Sequence, residues 1–402
     1  MTATPPLEGL TVLDFSHALA GPYATMLLAA YGATVIKVEG VDAGDIGRGW
    51  GPPFLGNDSA YFVGLNSGKQ AVAIDLKDPR GVALCRQLAA RADILLENFR
   101  PGTLTRLGLG YDDVKALNPR LIYCSISGYG QTGPRRDEPA MDLILQAASG
   151  LISVTGTEAG ELVRCGHSVA DVTAGMFSVI GILMALRVRE ATGRGQLVDV
   201  SMLDGMISAM ASTFANLFGT GVPPKPHGTA FGTIVPYACF PTQDREIAIA
   251  VASDKLWSGF CDAIGQPALG VDQRFASNAD RVANRSVLEP LIVELFRKEP
   301  AAVWLERLRR AGVPCTPVNN LAEVAADPHA VLRGMFPTLD HPTAGAVTVT
   351  GPPVQFSESG GEIRSPAPRH GEHSGEVLGT LLGLDESAIA DLTREGVVRL
   401  GR

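Results

Sequence analysis

Short apolar runs recur along the first half of the chain, separated by stretches of helical periodicity. Thr11–Phe15 (TVLDF) and Thr34–Val38 (TVIKV) read as strands, with a loop at Ala18–Pro22 and a helix over Tyr23–Tyr31 between them. Arg80–Arg91 has a helical pattern, and Asp93–Leu96, Leu121–Ile126 and Gln196–Val200 continue the strand series. Strand–helix–strand alternation predicts an α/β fold with a parallel sheet covered by helices on both faces. Ligands in such sheets bind beyond the carboxyl ends of the strands. The loops His17–Pro22 and Glu97–Gly102 are therefore where function is expected.

The uncharged stretch Val172–Leu186 is too short to span a bilayer and is expected to be a buried helix. A long helix is expected over Met202–Phe218, and the Gly/Pro-rich Gly219–Gly228 reads as a linker. From Ile234 to about Gly334 the pattern suggests a smaller α/β unit, with a strand at Ile247–Val251 and helices at Leu256–Ile264 and Ala301–Ala311. A strand at Ala344–Val349 and capped helices near Glu376–Leu382 and Ser387–Glu395 follow. The expected organisation is a large domain from residues 1–218 and 336–402, a linker at 219–233, and a small domain at 234–335.

Composition narrows the function classes. The chain has 402 residues, 46% of them hydrophobic and only 19% charged, which suits large cores and a subunit interface. A net charge of −8 without a long Lys/Arg block argues against nucleic acid and anionic membranes as partners. Six scattered cysteines without a CxxC pair make a zinc site a poor expectation and suit reduced thiols in a cytosolic protein. The opening MTATPPLEG has neither a basic region nor an apolar run, so no signal peptide is expected. No GxGxxG, Walker loop, GxSxG or HExxH occurs. Residue chemistry alone thus gives an α/β protein of open function. Asp171, just before the apolar stretch, reads on that basis as a helix N-cap.

Longer segments carry more. LEGLTVLDFSHALAGPYATMLLAAYGATVIKVE, AIDLKDPRG, ENFRPGTLTRLGLGYDDV, IYCSISGYGQTGP, ADVTAGMFSVIGILMAL, TGRGQLVDVSMLD and GVPCTPVNNLAEVAADPH run in order from Leu7 to about Val398. Together they resemble the CaiB/BaiF (family III) coenzyme A transferases. GTAFGTIVPYACF looks most like members that handle small dicarboxylates, such as the succinate–hydroxymethylglutarate, mesaconate and citramalate enzymes. The resemblance implies a Rossmann-like large domain, a small domain, and a homodimer of two interlocked subunits; the cytoplasmic location rests on the cysteines alone.

It also implies chemistry. Asp171, in the AD…G segment with Gly175, corresponds to the nucleophile that attacks the acyl-CoA thioester. CoA and acyl-CoA are then substrates, with no cofactor and no metal. His17, Leu19 and Ala20 match the first CoA-contact loop. Ile74, Asp75, Leu76 and Lys77 match a stretch bordering adenine and ribose. Asn98, Phe99 and Arg100 match a second adenosine-side segment, and Arg106 a phosphate-contacting arginine. Leu19 departs from the glutamine of oxalate enzymes, and Gly40 stands where relatives often carry arginine. Met141 and Asp142, with His227, Gly228 and Gly232 in HGTAFGT, are the substrate-side candidates. Racemases of the same fold use a histidine at the position of Met141, and a thioether cannot carry a proton. Racemisation of a 2-methylacyl-CoA and non-catalytic CoA binding are the alternatives to CoA transfer.

Overall fold

The computed structural model describes residues 4–401; residues 1–3 and 402, counted with the large domain on sequence grounds, lie outside the described residues. The chain forms two units. The larger comprises Met1–Leu151, Cys165–Gly221 and Pro328–Arg402, the smaller Ile152–Arg164 and Val222–Asp327. Residues 152–164, expected in the large domain, cluster with the smaller unit. Gly228 there donates its N–H to the Gly156 carbonyl at 2.9 Å. Residues 328–335 cluster with the larger unit.

The larger unit is built on six parallel strands, β1 (Thr11–Asp14), β2 (Thr34–Glu39), β3 (Gln70–Ile74), β4 (Ile94–Glu97), β5 (Ile122–Ser127) and β6 (Leu197–Ser201), in the order β3-β2-β1-β4-β5-β6. A short edge strand, Val398–Arg399, pairs antiparallel with β3. The sheet is therefore mixed at this edge, which the sequence pattern did not show, because two residues carry no periodicity.

Alternate residues of each strand enter opposite cores. Val12, Val35, Ile94, Leu96, Ile122 and Cys124 face one side, and Leu13, Ile36, Val72, Leu95 and Tyr123 the other. On the first side lie α1 (Ala20–Ala30), reaching the core through Ala24 and Leu28, and a 24-residue helix described below. On the second, α2 (Pro79–Ala89) contributes Leu84 and Leu88. Further on come α3 (Asp142–Ala148) and α4 (Val169–Thr192).

Helix α4 corrects two expectations. It is longer than the apolar stretch within it, and it is the one helix among the described residues long and apolar enough to cross a membrane by length and composition. It is also only half covered. Ala170, Ala174, Ser178, Ile182, Ala185 and Arg189 recur every three or four residues and are buried, and Arg189 pairs with Asp93 at 3.0 Å. Met176, Ile180, Leu183, Met184 and Val188 lie exposed on the other face. The length and one-sided burial are those of a helix packed on a sheet.

The helix expected over Met202–Phe218 is two, α5 (Met202–Ala209) and α6 (Ala211–Thr220), broken at Met210. The smaller unit has an antiparallel sheet, β7 (Tyr237–Pro241), β8 (Glu246–Ala250) and β9 (Cys315–Pro317), with β8 central. Helices α7 (Asp254–Ala263), α8 (Arg285–Phe296) and α9 (Ala301–Arg310) close its core through Trp257, Phe260, Phe296 and Trp304. Back in the larger unit, Thr338–His341 and Gly345–Thr348 form a hairpin, and α10 (Ser374–Leu382) and α11 (Glu386–Arg394) pack under the sheet.

Candidate active site

The carboxyl end of the parallel sheet opens into a cleft of about 600 Å³. Its wall begins at the loop after β1. Ala18 holds a left-handed backbone (φ 63°), uncommon for a residue with a Cβ. The neighbours fix it there. The Ala18 N–H donates to Asp45 Oδ1 at 3.1 Å. The Asn98 carboxamide grips His17 from the other side, accepting from its N–H and donating to its carbonyl, both at 2.8 Å. The His17 ring meets Phe99 edge-on at 5.1 Å. Behind the loop, Asp45 pairs with Lys37 at 2.7 Å and Asp14 with Lys69 at 3.2 Å, all four buried. Burial pushes Lys69 down to about 8 against the attraction of Asp14.

Asp171 enters the cleft from the first turn of α4. It is not the N-cap; that position is Ser168, whose side chain makes no capping bond. The orphan N–H of Ala170 is instead satisfied by Asp142 Oδ1 at 2.9 Å, while Asp142 Oδ2 accepts from Gln146 Nε2 at 2.7 Å. Asp142 therefore caps α4, leaving the Asp171 carboxyl uncommitted. Burial, with the like charge of Asp142 second, pushes Asp171 up to about 7.

Gly175, one turn further on, sets how close α4 comes to α1. A Cβ there would lie 2.8 Å from the Ala20 carbonyl oxygen and 2.9 Å from the Tyr23 ring. Only glycine lets the two backbones approach this closely, and the approach brings Asp171 to the His17–Ala20 loop.

His17, Ala20, Asn98, Phe99, Arg100, Met141, Asp142 and Asp171 all line the cleft. Met141 is 64% exposed. Leu19 is the N-cap residue of α1 and is not among the lining residues. Ile74, Asp75, Leu76 and Lys77 lie at the end of β3 and the turn after it, where Asp75 Oδ1 accepts the Lys77 N–H at 2.8 Å. Arg106 ends a short helix and donates to Thr103 Oγ1 at 3.2 Å. His227, Gly228 and Gly232 lie in the smaller unit.

The cleft also contains residues the sequence reading did not single out: Trp50, Tyr61, Arg136 and Glu138. Trp50 and Tyr61 meet edge-on at 5.1 Å. Burial, with Asp171, Asp45 and Asp142 nearby, pushes the Tyr61 phenol well above its ordinary value, so it remains a hydrogen-bond donor. These residues fall in segments without periodicity, and only the fold brings them together.

Known proteins resemble this chain over nearly its whole length. The family described as CoA-transferase family III matches residues 7–374. A succinyl-CoA:glutarate CoA-transferase from Homo sapiens is 38% identical over 393 residues, 98% of this chain and 90% of the relative. An acetyl-CoA:oxalate CoA-transferase from Acetobacter aceti is 40% identical over 353 residues, 88% of this chain and 89% of the relative. A crystal structure of a CaiB/BaiF family protein from Brucella suis superposes with a TM-score of 0.84 at 36% identity, covering 94% of this chain and all of that one. The chain belongs to CoA-transferase family III.

Proposed function

We propose that this family III enzyme transfers coenzyme A between an acyl-CoA thioester and a small dicarboxylic acid, with Asp171 as nucleophile. The observation that carries the reading is an uncommitted, half-buried carboxyl, raised to about 7, facing the loop that the resemblance assigns to CoA. Poor solvation of the carboxylate raises its pKa and also strengthens it as a nucleophile.

In the reaction, an Asp171 oxygen attacks the thioester carbonyl, the C–S bond breaks, and CoA leaves as thiolate. The resulting mixed anhydride is attacked at the aspartyl carbonyl by that thiolate, releasing the donor acid and leaving an aspartyl-CoA thioester. The acceptor carboxylate reverses the sequence, and the acyl-transfer energy is conserved throughout. The Tyr61 hydroxyl, the N–H groups at the start of α1 and the apolar wall of the cleft suit a path on which charge moves onto oxygen and sulfur while water is excluded.

The relative acting on glutarate supports a dicarboxylate, and the relative acting on oxalate keeps that acid among those to be compared. Met141 at the cleft offers no proton carrier for the racemase alternative. Asp171→Ala and Asp171→Asn are expected to abolish transfer from succinyl-CoA to glutarate while leaving circular dichroism unchanged; near-wild-type turnover would end the proposal. We also read the enzyme as a homodimer. A second copy would cover the apolar stripe Met176–Ile180–Leu183–Met184–Val188, and a folded monomer on dilution would contradict this. Six scattered cysteines without a CxxC pair suit a reducing compartment such as the cytoplasm.

A further inference from the structure

A dicarboxylate brings two negative charges to a cleft whose nucleophile is itself a carboxylate. Some fixed cation must hold the far end of such an acid. The charged residues of the cleft can be sorted by what they already bind. Glu138 is paired with Arg135, whose guanidinium lies 2.9 Å from Glu138 Oε2, donates to the Tyr129 hydroxyl at 2.8 Å and stacks 4.0 Å over that ring. Neither Glu138 nor Arg135 is free. Asp142 is committed to capping α4 and to Gln146. Arg100 also lines a second cavity of about 220 Å³ with Thr103, Thr105 and Tyr111, and it belongs to the Asn98–Arg100 segment that the resemblance assigns to the coenzyme.

That leaves Arg136. It lines the same cleft as Asp171, four residues before Ala140, and Ala140–Met141–Asp142 leads directly into the cap of Asp171's helix. Among the described residues its ion-pair contact is a loose one, 3.4 Å to the adjacent Asp137, which is 82% exposed. Its guanidinium therefore retains most of its donors for a ligand.

We infer that Arg136 is the specificity-determining cation that binds the distal carboxylate of the acid while the proximal carboxylate reacts at Asp171. A guanidinium presents two parallel N–H groups to a carboxylate, so the contact selects for a second carboxylate rather than for bulk. The inference rests on the reading of the enzyme as a dicarboxylate CoA-transferase. It places the second-carboxylate contact on the larger unit, in place of the His227 expected from sequence.

The test is a comparison of glutarate with pentanoate, equal in carbon count and differing in the far carboxylate, as acceptors from succinyl-CoA. Arg136→Met is expected to lower the glutarate-to-pentanoate ratio of kcat/KM by at least about tenfold, as loss of a charged hydrogen-bonding partner does. Arg136→Lys should restore part of the ratio, and pentanoate itself should be little affected. A wild type that prefers glutarate, with the same ratio in Arg136→Met, overturns the role of Arg136 and leaves the function standing. So does an equal loss for both acids accompanied by a raised KM for succinyl-CoA, which would make Arg136 a coenzyme contact. A wild type that moves CoA to no acid overturns both readings.

Discussion

Gly175→Ala isolates geometry from chemistry. The added methyl would stand 2.8 Å from the Ala20 carbonyl oxygen and 2.9 Å from Tyr23 Cδ1. Backbone cannot step aside like a flexible side chain, so reaching an ordinary 3.4 Å contact requires α4 and α1 to part by about 0.6 Å (3.4 minus 2.8). Overpacking of this kind costs roughly 1–3 kcal/mol, while replacing a mid-helix glycine by alanine returns about 1 kcal/mol of helix propensity. The net change in stability should therefore be small, from near zero to about 2 kcal/mol. The effect on catalysis should be larger, because Asp171 moves with α4 while the His17–Ala20 loop stays on β1. A misplacement approaching 1 Å can cost on the order of 100-fold, so kcat/KM should fall by about 10- to 100-fold.

Gly181→Ala on the same helix is the control. Its Cβ would meet a side-chain atom, Val198 Cγ1, at 2.7 Å, and Gly181 does not line the cleft. The assay is CoA transfer monitored by thioester exchange, with thermal melts of both variants alongside. Wild-type kcat/KM in Gly175→Ala would refute the claim that this close approach places the nucleophile. Equal activity losses in the two variants would assign the effect to general disturbance of α4.

If Asp171 is the nucleophile, activity should rise with pH through about 7, since only its ionised form attacks and burial raises it to about 7. The same shift should make folding less favourable as pH climbs from about 4 to 7, because a carboxyl raised above its unfolded 3.8 holds its proton more tightly in the native state. Asp171→Asn should accordingly melt higher than wild type at pH 8. Asp142→Asn keeps an oxygen to accept the Ala170 N–H but removes the like charge, so the acid limb of the pH–rate profile should move to lower pH; an unmoved limb would show that burial alone sets the value of Asp171. Asn98→Ala removes both hydrogen bonds to the His17 backbone, at about 1–3 kcal/mol for each group left unpaired. It should raise KM for the acyl-CoA more than it lowers kcat, and a normal KM would show that the loop holds its shape without the clamp.

The fold was legible where periodicity is strong. The buried strands TVLDF and TVIKV could hardly be anything else, and the alternation with helices gave the parallel sheet and its active rim. The reading of Asp171 as nucleophile came only from resemblance, because a carboxylate ahead of an apolar helix is ordinarily a cap. The structure shows why that rule misled. The cap is Asp142, 28 residues upstream of Ala170, whose N–H it accepts, and no local pattern announces a cap supplied from another helix. The break at Met210, the edge strand Val398–Arg399 and the transfer of residues 152–164 to the smaller unit depend on tertiary contacts rather than local preference. Trp50, Tyr61 and Arg136 share the same limit: Trp50 and Arg136 lie outside regular elements and Tyr61 at the start of a seven-residue helix, Ala60–Asn66, and their convergence on the cleft exists only after folding.

The buried ions behind the cleft hold a loop in place at a cost in desolvation. Taking Asp14, Lys37, Asp45 and Lys69 out of water is expensive, and a buried ion pair seldom improves on an apolar substitute. What they support is a loop with a non-glycine residue at φ 63°, a conformation that costs on the order of 1–3 kcal/mol and persists only where its surroundings leave no alternative. Lys37 Nζ donates to the Ser16 carbonyl at 2.7 Å and pairs with Asp45, which in turn holds Ala18, while Asn98 fixes His17. Three consecutive loop positions, Ser16, His17 and Ala18, are thus tied down, with Gly21 pressed against Ser16 and Gly175 of α4 against Ala20. On the proposed mechanism Asp171 attacks one thioester and then carries CoA as another, so the opposite wall must stay where it is between the two events. The ionic network supplies that fixity from within the protein, so the wall is in place before any coenzyme binds.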